Sequence, residues 1–191
     1  MNAWELPVKI SLHGREYGIY SDYRDILEII GYLDDPDLPE FVRWRVALAL
    51  FYKEEIPAPN RKEAMDALAS FIAGGRHQGR PGPRLLDWEQ DADAIVADVN
   101  KAAGFEIRAV PYLHWWTFLA YFHAIGEGQL SGLVAIRDKL RRGKPLEKWE
   151  QAFYRENRER IVLKQRYTPG EIAQQARLNA LLEEKTANDD R

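Results

Sequence analysis

The sequence Leu113-His114-Trp115-Trp116-Thr117-Phe118-Leu119 decides the fold that we expect for this chain. Adjacent side chains on a helix point about 100° apart, so the two tryptophans belong to different faces. The first face consists of Leu113, Trp116, Ala120 and His123. The second face consists of Trp115, Phe118, Phe122 and Ile125. Because a helix that is apolar on two faces is buried on both, this segment predicts the central helix, with Pro111 in its first turn.

The composition is that of one helical, soluble domain rather than a membrane or disulfide-bonded protein. The 191 residues suffice for a sizeable core, and the fractions of 46% hydrophobic and 30% charged residues are ordinary. No apolar run approaches the roughly 20 residues of a membrane span, and residues 1–7 do not resemble a signal peptide. Since the chain has no cysteine, disulfides, thiolate metal sites and cysteine nucleophiles are excluded.

The N-terminal region predicts a small β-hairpin. Apolar and polar residues alternate over 8–12 and again after His13-Gly14, which is typical of strands joined by a two-residue turn. Such a turn pairs Ile10 with Tyr17. A lone hairpin is marginally stable in water, so we expect it to pack on the helical body.

The remaining chain shows helical periodicity with recognisable start and stop signals. The predicted segments are 22–33 with Ser21 as N-cap, 41–51 with Phe41 and Trp44 in the core stripe, 61–72 capped by Asn60, 88–103 capped by Asp87 and ended by Gly104, 130–142 ended by Gly143, and a helix opened by Pro145 with Leu146, Trp149 and Phe153 as its stripe.

These segments predict a mainly α, compact multi-helix domain over residues 1–167 with the N-terminal hairpin. Residues 74–86 are rich in glycine and proline, which favours a flexible surface loop. A further helix begins at the Thr168-Pro169 signal and ends in a frayed tail, so residues 168–191 form a C-terminal helix and tail.

No residue pattern indicates catalysis, a cofactor or a metal, and we expect a non-catalytic protein. His114 and His123 are nine residues apart, about 180° around a helix, and cannot share a metal ion. His123 lies on an apolar face and is interpreted as a hydrogen-bonded core histidine. The acids of 87–93 are interpreted as helix-start residues, and Glu147 with Glu150 as surface ion-pairing groups.

Charge is concentrated in one part of the chain. Residues 137–166 contain 11 Lys and Arg against 5 Asp and Glu, although the whole chain has a net charge of −3. Two interpretations remain open, a solvated helix pair with internal ion pairs or a surface that binds a partner. The candidate partner-binding residues are Arg141, Arg142, Lys148, Arg155, Arg158 and Arg160. Nucleic acid is the less favoured partner, because Glu156 and Glu159 interrupt the cluster.

Three segments resemble a family of phage and prophage proteins named after gene product fifteen of a Listeria phage. In family order they are ISLHGREYGIYSDYRDILEII, GPRLLDWEQDADAIVADVNKAAGFEIR and YLHWWTFLAYFHAIGEGQLSGLVAIRDKLRRGKPLEKWEQAFYRENRERIVLK, and they cover most of residues 6–164. The residues that we take as the fingerprint and as core positions are Trp88, Leu113, His114, Trp115, Trp116, Phe118, Trp149 and Phe153.

The resemblance implies a role in phage assembly. Such proteins are encoded near the tape-measure gene of long-tailed phages of Gram-positive bacteria, which implies a tail assembly chaperone that binds the tape-measure protein. It would act in the host cytoplasm and be absent from the mature virion. The alternative is a minor structural protein of the tail or head–tail junction. Other tail proteins are further candidate partners, a membrane is not, and the oligomeric state stays open.

Overall fold

The computed structural model describes residues 4–75 and 82–164, which form a mainly helical domain preceded by a two-stranded antiparallel hairpin, as predicted. The elements are β1 (Lys9–Leu12), β2 (Arg15–Gly18), α1 (Tyr23–Leu33), α2 (Glu40–Phe51), α3 (Arg61–Ile72), α4 (Ala92–Ala103), α5 (Trp115–His123), α6 (Gln129–Arg141), α7 (Lys148–Glu156) and α8 (Arg158–Ile161). Every helix within these ranges is too short or too polar to cross a membrane. The predicted C-terminal helix and part of the 74–86 loop lie outside the described residues.

The hairpin has the predicted register, with Ile10 opposite Tyr17. Its turn residues His13 and Gly14 have φ values of 47° and 81°, the left-handed conformation that a tight hairpin turn requires at both central positions. Leu12 and Tyr17 are buried against the helical body, which supplies the apolar partner that an isolated hairpin lacks.

Asp22, not the predicted Ser21, is the N-cap of α1. Its carboxylate accepts a hydrogen bond from the backbone N–H of Arg24 at 3.0 Å and one from the N–H of Leu113 at 2.8 Å. Ser21 is buried, and its hydroxyl is 2.8 Å from the hydroxyl of Tyr112. The side chain of Asp22 therefore both starts α1 and joins it to the chain that enters α5.

Two other helices begin later than predicted. The carboxylate of Asp87 accepts the N–H groups of Glu89 and Gln90 and closes a turn, so α4 begins only at Ala92. α7 begins at Lys148 with Glu147 as N-cap rather than at Pro145. A proline or aspartate start signal here marks the turn before the helix, not the helix itself.

The other start and stop signals gave mixed results. Asn60 occupies the N-cap position of α3 but makes no side-chain capping bond, and Pro111 lies four residues before α5, whose N-cap is His114. The predicted stops are confirmed, since Gly104 and Gly143 follow α4 and α6 with φ values of 79° and 64°.

α5 lies between α1 and α4 and contacts both, so it is central in the packing. One of its two predicted faces is buried only at its start, however. Leu113 is buried and Trp116 packs against the core, whereas Ala120 and His123 are exposed. The interpretation of His123 as a core histidine is therefore wrong, because this face is covered in the first turn of the helix and open at its end.

Candidate functional site

The adjacent tryptophans of α5 have a structural role. The indole N–H of Trp115 donates to the carbonyl of Ile72 at 2.9 Å, and that of Trp116 donates to the carbonyl of Phe71 at 2.9 Å. These carbonyls belong to the last turn of α3, where a helix has no internal partner for them. Both indoles thus cap the end of another helix, and the pair is not available to bind a partner.

His114 fastens the start of α5 to the N-terminal segment. Its Nδ1 accepts the N–H of Trp116 at 3.0 Å, so the ring proton lies on Nε2, which donates to the carbonyl of Pro7 at 3.0 Å. Burial lowers the pKa of His114, partly opposed by the bond to Pro7. With both ring nitrogens bonded to backbone, this histidine positions the chain.

A buried ion pair joins α6 to the start of α4. Arg137 forms a two-bond contact with the carboxylate of Asp91 at 2.6 and 2.7 Å, and the side chains of the two residues are only 4% and 1% exposed. The other guanidinium N–H groups donate to the carbonyls of Leu85, Arg160 and Ile161. All five donors of the guanidinium are therefore used, which is the condition for tolerating a buried charge.

The interpretation of the acids of 87–93 as simple helix-start residues missed this pair. Asp87 and Asp91 are both buried. The available signal was spacing, since Arg137 continues the apolar stripe of Leu130 and Leu133 at the helical interval i, i+3, i+7. A charged residue on such a stripe requires a buried partner of opposite charge.

The segment after α8 is held by side chains that bond its backbone. The amide of Gln90 donates to the carbonyl of Val162 at 2.9 Å and accepts the N–H of Lys164 at 2.9 Å. Arg84 donates to the carbonyl of Lys164 at 3.0 Å. Together with Arg137, these contacts fix α8 on the body of the domain, so cations on its surface have a defined position.

Glu150 is buried rather than a surface ion-pairing group. Its carboxylate accepts both Lys139 Nζ, at 2.6 and 2.8 Å, and the N–H of Glu147 at 2.8 Å. The hydrogen bond from Lys139 holds the pKa of Glu150 below its ordinary value. This contact joins α6 to the first turn of α7, whereas the carboxylate of Glu147 is exposed as predicted.

All six predicted partner-binding residues are exposed, but they fall into two groups. Arg141 and Arg142 both pair with the single carboxylate of Asp138, at 2.9 and 2.8 Å, so this group of three keeps a net charge of +1. The remaining four form no ion pair with any residue in 4–75 or 82–164 and lie on α7 and α8, which contact each other: Lys148, Arg155, Arg158 and Arg160.

A tryptophan lies among these cations. Trp149, expected in the core, is instead 59% exposed, and its indole N–H bonds to the carboxylate of Glu147 at 3.0 Å. Phe153, by contrast, packs against the core. We call these four cations together with Trp149 the basic surface. It combines four exposed cations with a large exposed aromatic ring, and the exposed acids Glu147, Glu156 and Glu159 lie among them in the sequence.

A second surface, which the sequence analysis missed, is a groove between α2 and the start of α3. It has a volume of about 860 Å³. Its apolar lining comes from Phe41, Trp44, Leu48, Ile56 and Met65, and its charged rim from Glu40, Arg45, Lys53, Glu54, Glu55 and Arg61. Phe41 was predicted for the core but is 73% exposed, because it lies in the first turn of α2, beyond the contacts that bury Ala47 and Phe51.

In the described part of the chain, no group of three or more His, Asp or Glu side chains is placed to hold a metal ion. The surfaces that remain are suited to contacts with another macromolecule. The chemistry that they offer is apolar contact and charge attraction.

Comparison with known proteins places the chain among phage proteins. The family model described as Bacteriophage Gp15 protein matches residues 4–163, which include every helix and strand from β1 to α8. The chain belongs to this family. It is thus a phage structural or morphogenesis protein. No curated protein and no solved structure matches the chain.

Proposed function

We propose that this protein is a tail assembly chaperone that binds the phage tape-measure protein during tail morphogenesis and performs no catalysis. Membership of the phage family supports the setting. The observation that carries the proposal is the basic surface, where four exposed cations lack ion-pair partners within residues 4–75 and 82–164. The protein would act in the host cytoplasm and leave before the virion is complete.

The basic surface has the properties expected for recognition of an amphipathic helix with acidic flanks. Exposed tryptophan is among the residues that contribute most to binding, and Trp149 offers its ring beside Lys148. Complementary charge steers such a partner and fixes its orientation. Because Arg137 and Gln90 hold α8 by its backbone, little ordering is needed when the partner binds.

Co-expression with the tape-measure protein of the same phage tests the proposal. We expect the wild-type chain to increase the soluble fraction of the tape-measure protein. The double variant Lys148→Glu/Arg155→Glu should lose most of that effect, because the attraction becomes repulsion. If the wild-type chain leaves the solubility unchanged, the chaperone proposal is wrong.

A matched control is available elsewhere on the surface. Lys148 lies in the first turn of α7 and Arg155 in its last, and Lys62 and Lys101 occupy the corresponding positions of α3 and α4. The double variant Lys62→Glu/Lys101→Glu therefore makes the same change in net charge and a similar change relative to the helix dipoles. It should retain wild-type chaperone activity.

The protein content of purified virions tests whether this chain remains in the finished particle. The chaperone proposal expects mass spectrometry to find no stoichiometric amount of this chain in finished particles. Finding a fixed number of copies per particle would replace the proposal with the alternative, a minor structural protein of the tail or head–tail junction.

A further inference from the structure

The nine residues of α7 divide into three rows at the helical interval i, i+3, and one row faces away from the body along its whole length. The row that begins with Glu150 and Phe153 is turned to the core and reaches the surface only at Glu156. The row that begins with Lys148 ends at Tyr154, which packs against the core. The remaining row, which we call the outer row, consists of Trp149, Ala152 and Arg155.

The outer row is high at both ends and low in the middle. Trp149 and Arg155 are exposed, whereas the small side chain of Ala152 between them is half-buried. Helix residues three apart have Cβ atoms about 5–6 Å apart, so the row is roughly 10–12 Å long. Its shape therefore leaves a shallow gap over Ala152, into which a helix packed across the row can insert one side chain.

The two ends of the outer row differ in chemistry. Trp149 presents an apolar ring, and the carboxylate of Glu147 accepts its indole N–H at 3.0 Å. Arg155 presents a cation that forms no ion pair with any residue in 4–75 or 82–164. Because Glu147 lies beside the ring, a second acid is disfavoured at that end and favoured at the Arg155 end.

The exposed acids of this region do not lie on the outer row. The carboxylate of Glu147 is 3.9 Å from Nζ of Lys139 on α6, at the start of α7. Glu156 follows Arg155 directly, so it points about 100° away from it around the helix. Glu159 belongs to α8, beyond the end of α7. Along the outer row itself, the only charged side chain is that of Arg155.

We infer that the outer row binds one helix of an amphipathic partner, with an apolar side chain against Trp149 and a carboxylate opposite Arg155. A helix rises about 1.5 Å per residue, so seven residues cover about 10.5 Å and return to the same face. The partner helix therefore carries its apolar residue and its acid seven positions apart. This inference rests on the proposed function and specifies the side-chain pattern that the basic surface recognises.

NMR titration of the full chain with two synthetic peptides tests the inference. Both are alanine- and glutamine-based helices of about 20 residues and identical composition. The matched peptide has leucine and glutamate seven positions apart, and the permuted peptide has them five apart, which turns them about 140° away from each other. We expect the matched peptide to shift the indole N–H signal of Trp149 and to bind at least about fivefold more tightly. The signal of buried Trp115 should not move.

Three variants separate charge from shape. Arg155→Glu should reverse the preference, so that a matched peptide with lysine in place of glutamate binds more tightly. Ala152→Gln fills the gap without changing charge and should weaken binding of the matched peptide at least about fivefold. Ala102→Gln, at another half-buried alanine near the end of α4, is the control and should bind like the wild type. Circular dichroism establishes that each variant is folded.

Equal affinities of the two peptides, or an unmoved Trp149 signal up to millimolar peptide, would overturn the inference. So would a preference that Arg155→Glu leaves unchanged. These failures are distinguishable from failure of the proposed function. If the peptides fail but the wild-type chain still increases the solubility of the tape-measure protein, the chaperone proposal stands and the outer row is not its binding site.

Discussion

Helices α5 and α7 are both nine residues long and both carry tryptophan in the first turn, yet the first tryptophan of α5 lies in the core and that of α7 on the surface. Trp115 of α5 is 1% exposed and donates its indole N–H to another helix, whereas Trp149 of α7 is 59% exposed and donates to its neighbour Glu147. The acceptor of the indole N–H therefore distinguishes the two tryptophans. A structural tryptophan donates to a distant helix, whereas one that is available for binding donates to a sequence neighbour. Tertiary packing determines which of the two acceptors is within reach.

The largest expected effect concerns what holds the α7–α8 end in place. Arg137→Met should lower the free energy of unfolding by about 3–5 kcal/mol, because it leaves the carboxylate of Asp91 buried without its cation. Denaturant unfolding measures this loss. Arg141→Met on the same helix, where the side chain is exposed, should change it by less than about 0.5 kcal/mol.

The double variant Asp91→Leu/Arg137→Met sharpens this prediction. It removes the unpaired charge but leaves the carbonyls of Leu85 and Ile161 without a side-chain donor, and the N–H of Asp87 without its acceptor. We therefore expect incomplete recovery of stability. Full recovery would show that the backbone hydrogen bonds of this ion pair contribute little to stability.

The second prediction tests the difference between the two tryptophans directly. Trp115→Ala should cost about 3–5 kcal/mol of unfolding free energy, because it empties a buried site and leaves the carbonyl of Ile72 without its donor. Trp149→Ala should cost less than about 0.5 kcal/mol. Equal losses, measured by denaturant unfolding under one set of conditions, would contradict the assignment of Trp115 to the core and Trp149 to the surface.

The third prediction concerns the buried side of α7. Glu150→Gln should lower stability at neutral pH, by less than Trp115→Ala does, since Lys139 loses its charged acceptor. Because the pKa of Glu150 is lowered in the folded state, its contribution is present above the ordinary value of 4.5 and is lost as pH falls through the folded value. Unfolding followed from pH 7 to 3 should show a larger loss of stability in the wild type than in the variant, because the variant keeps the other groups that titrate in this range.

The smallest effect is expected at the start of α5. The pKa of His114 is lowered on folding, so the unfolded chain takes up a proton at pH values where the folded chain does not. Stability should therefore fall as pH drops below about 6.5, well above the range in which Glu150 titrates. His114→Asn removes the titrating ring but keeps a good N-cap residue, and its unfolding free energy should change less than that of the wild type over pH 7.5–5.5. An identical slope in wild type and variant would assign the dependence to another group.

Local rules predicted much of the fold. The turn at His13-Gly14 and the stops at Gly104 and Gly143 depend on backbone conformations that few residues adopt, and the structure has them as expected. The helical segments followed from apolar periodicity. The exact starts of α4 and α7 did not, because Asp87 and Pro145 lie in turns that precede the helices.

The sites were harder to predict than the elements. The basic cluster was visible as a run of charge, but sequence alone could not separate Arg137, which is buried with Asp91, from Arg155, which is exposed. Likewise Phe41 and Trp149 fit an apolar stripe and yet lie on the surface. Whether a stripe position is covered depends on which distant element packs there, and that information lies outside the segment.

The most direct test of the account is the dissociation constant between the purified chain and a soluble fragment of the tape-measure protein, measured for the wild type and the two matched double variants. The account predicts that Lys148→Glu/Arg155→Glu weakens binding at least about tenfold, or about 1.4 kcal/mol, and that Lys62→Glu/Lys101→Glu changes it less than about twofold. Equal affinities of the two variants, or no binding by the wild type, would contradict the claim that the basic surface of α7 and α8 binds this partner.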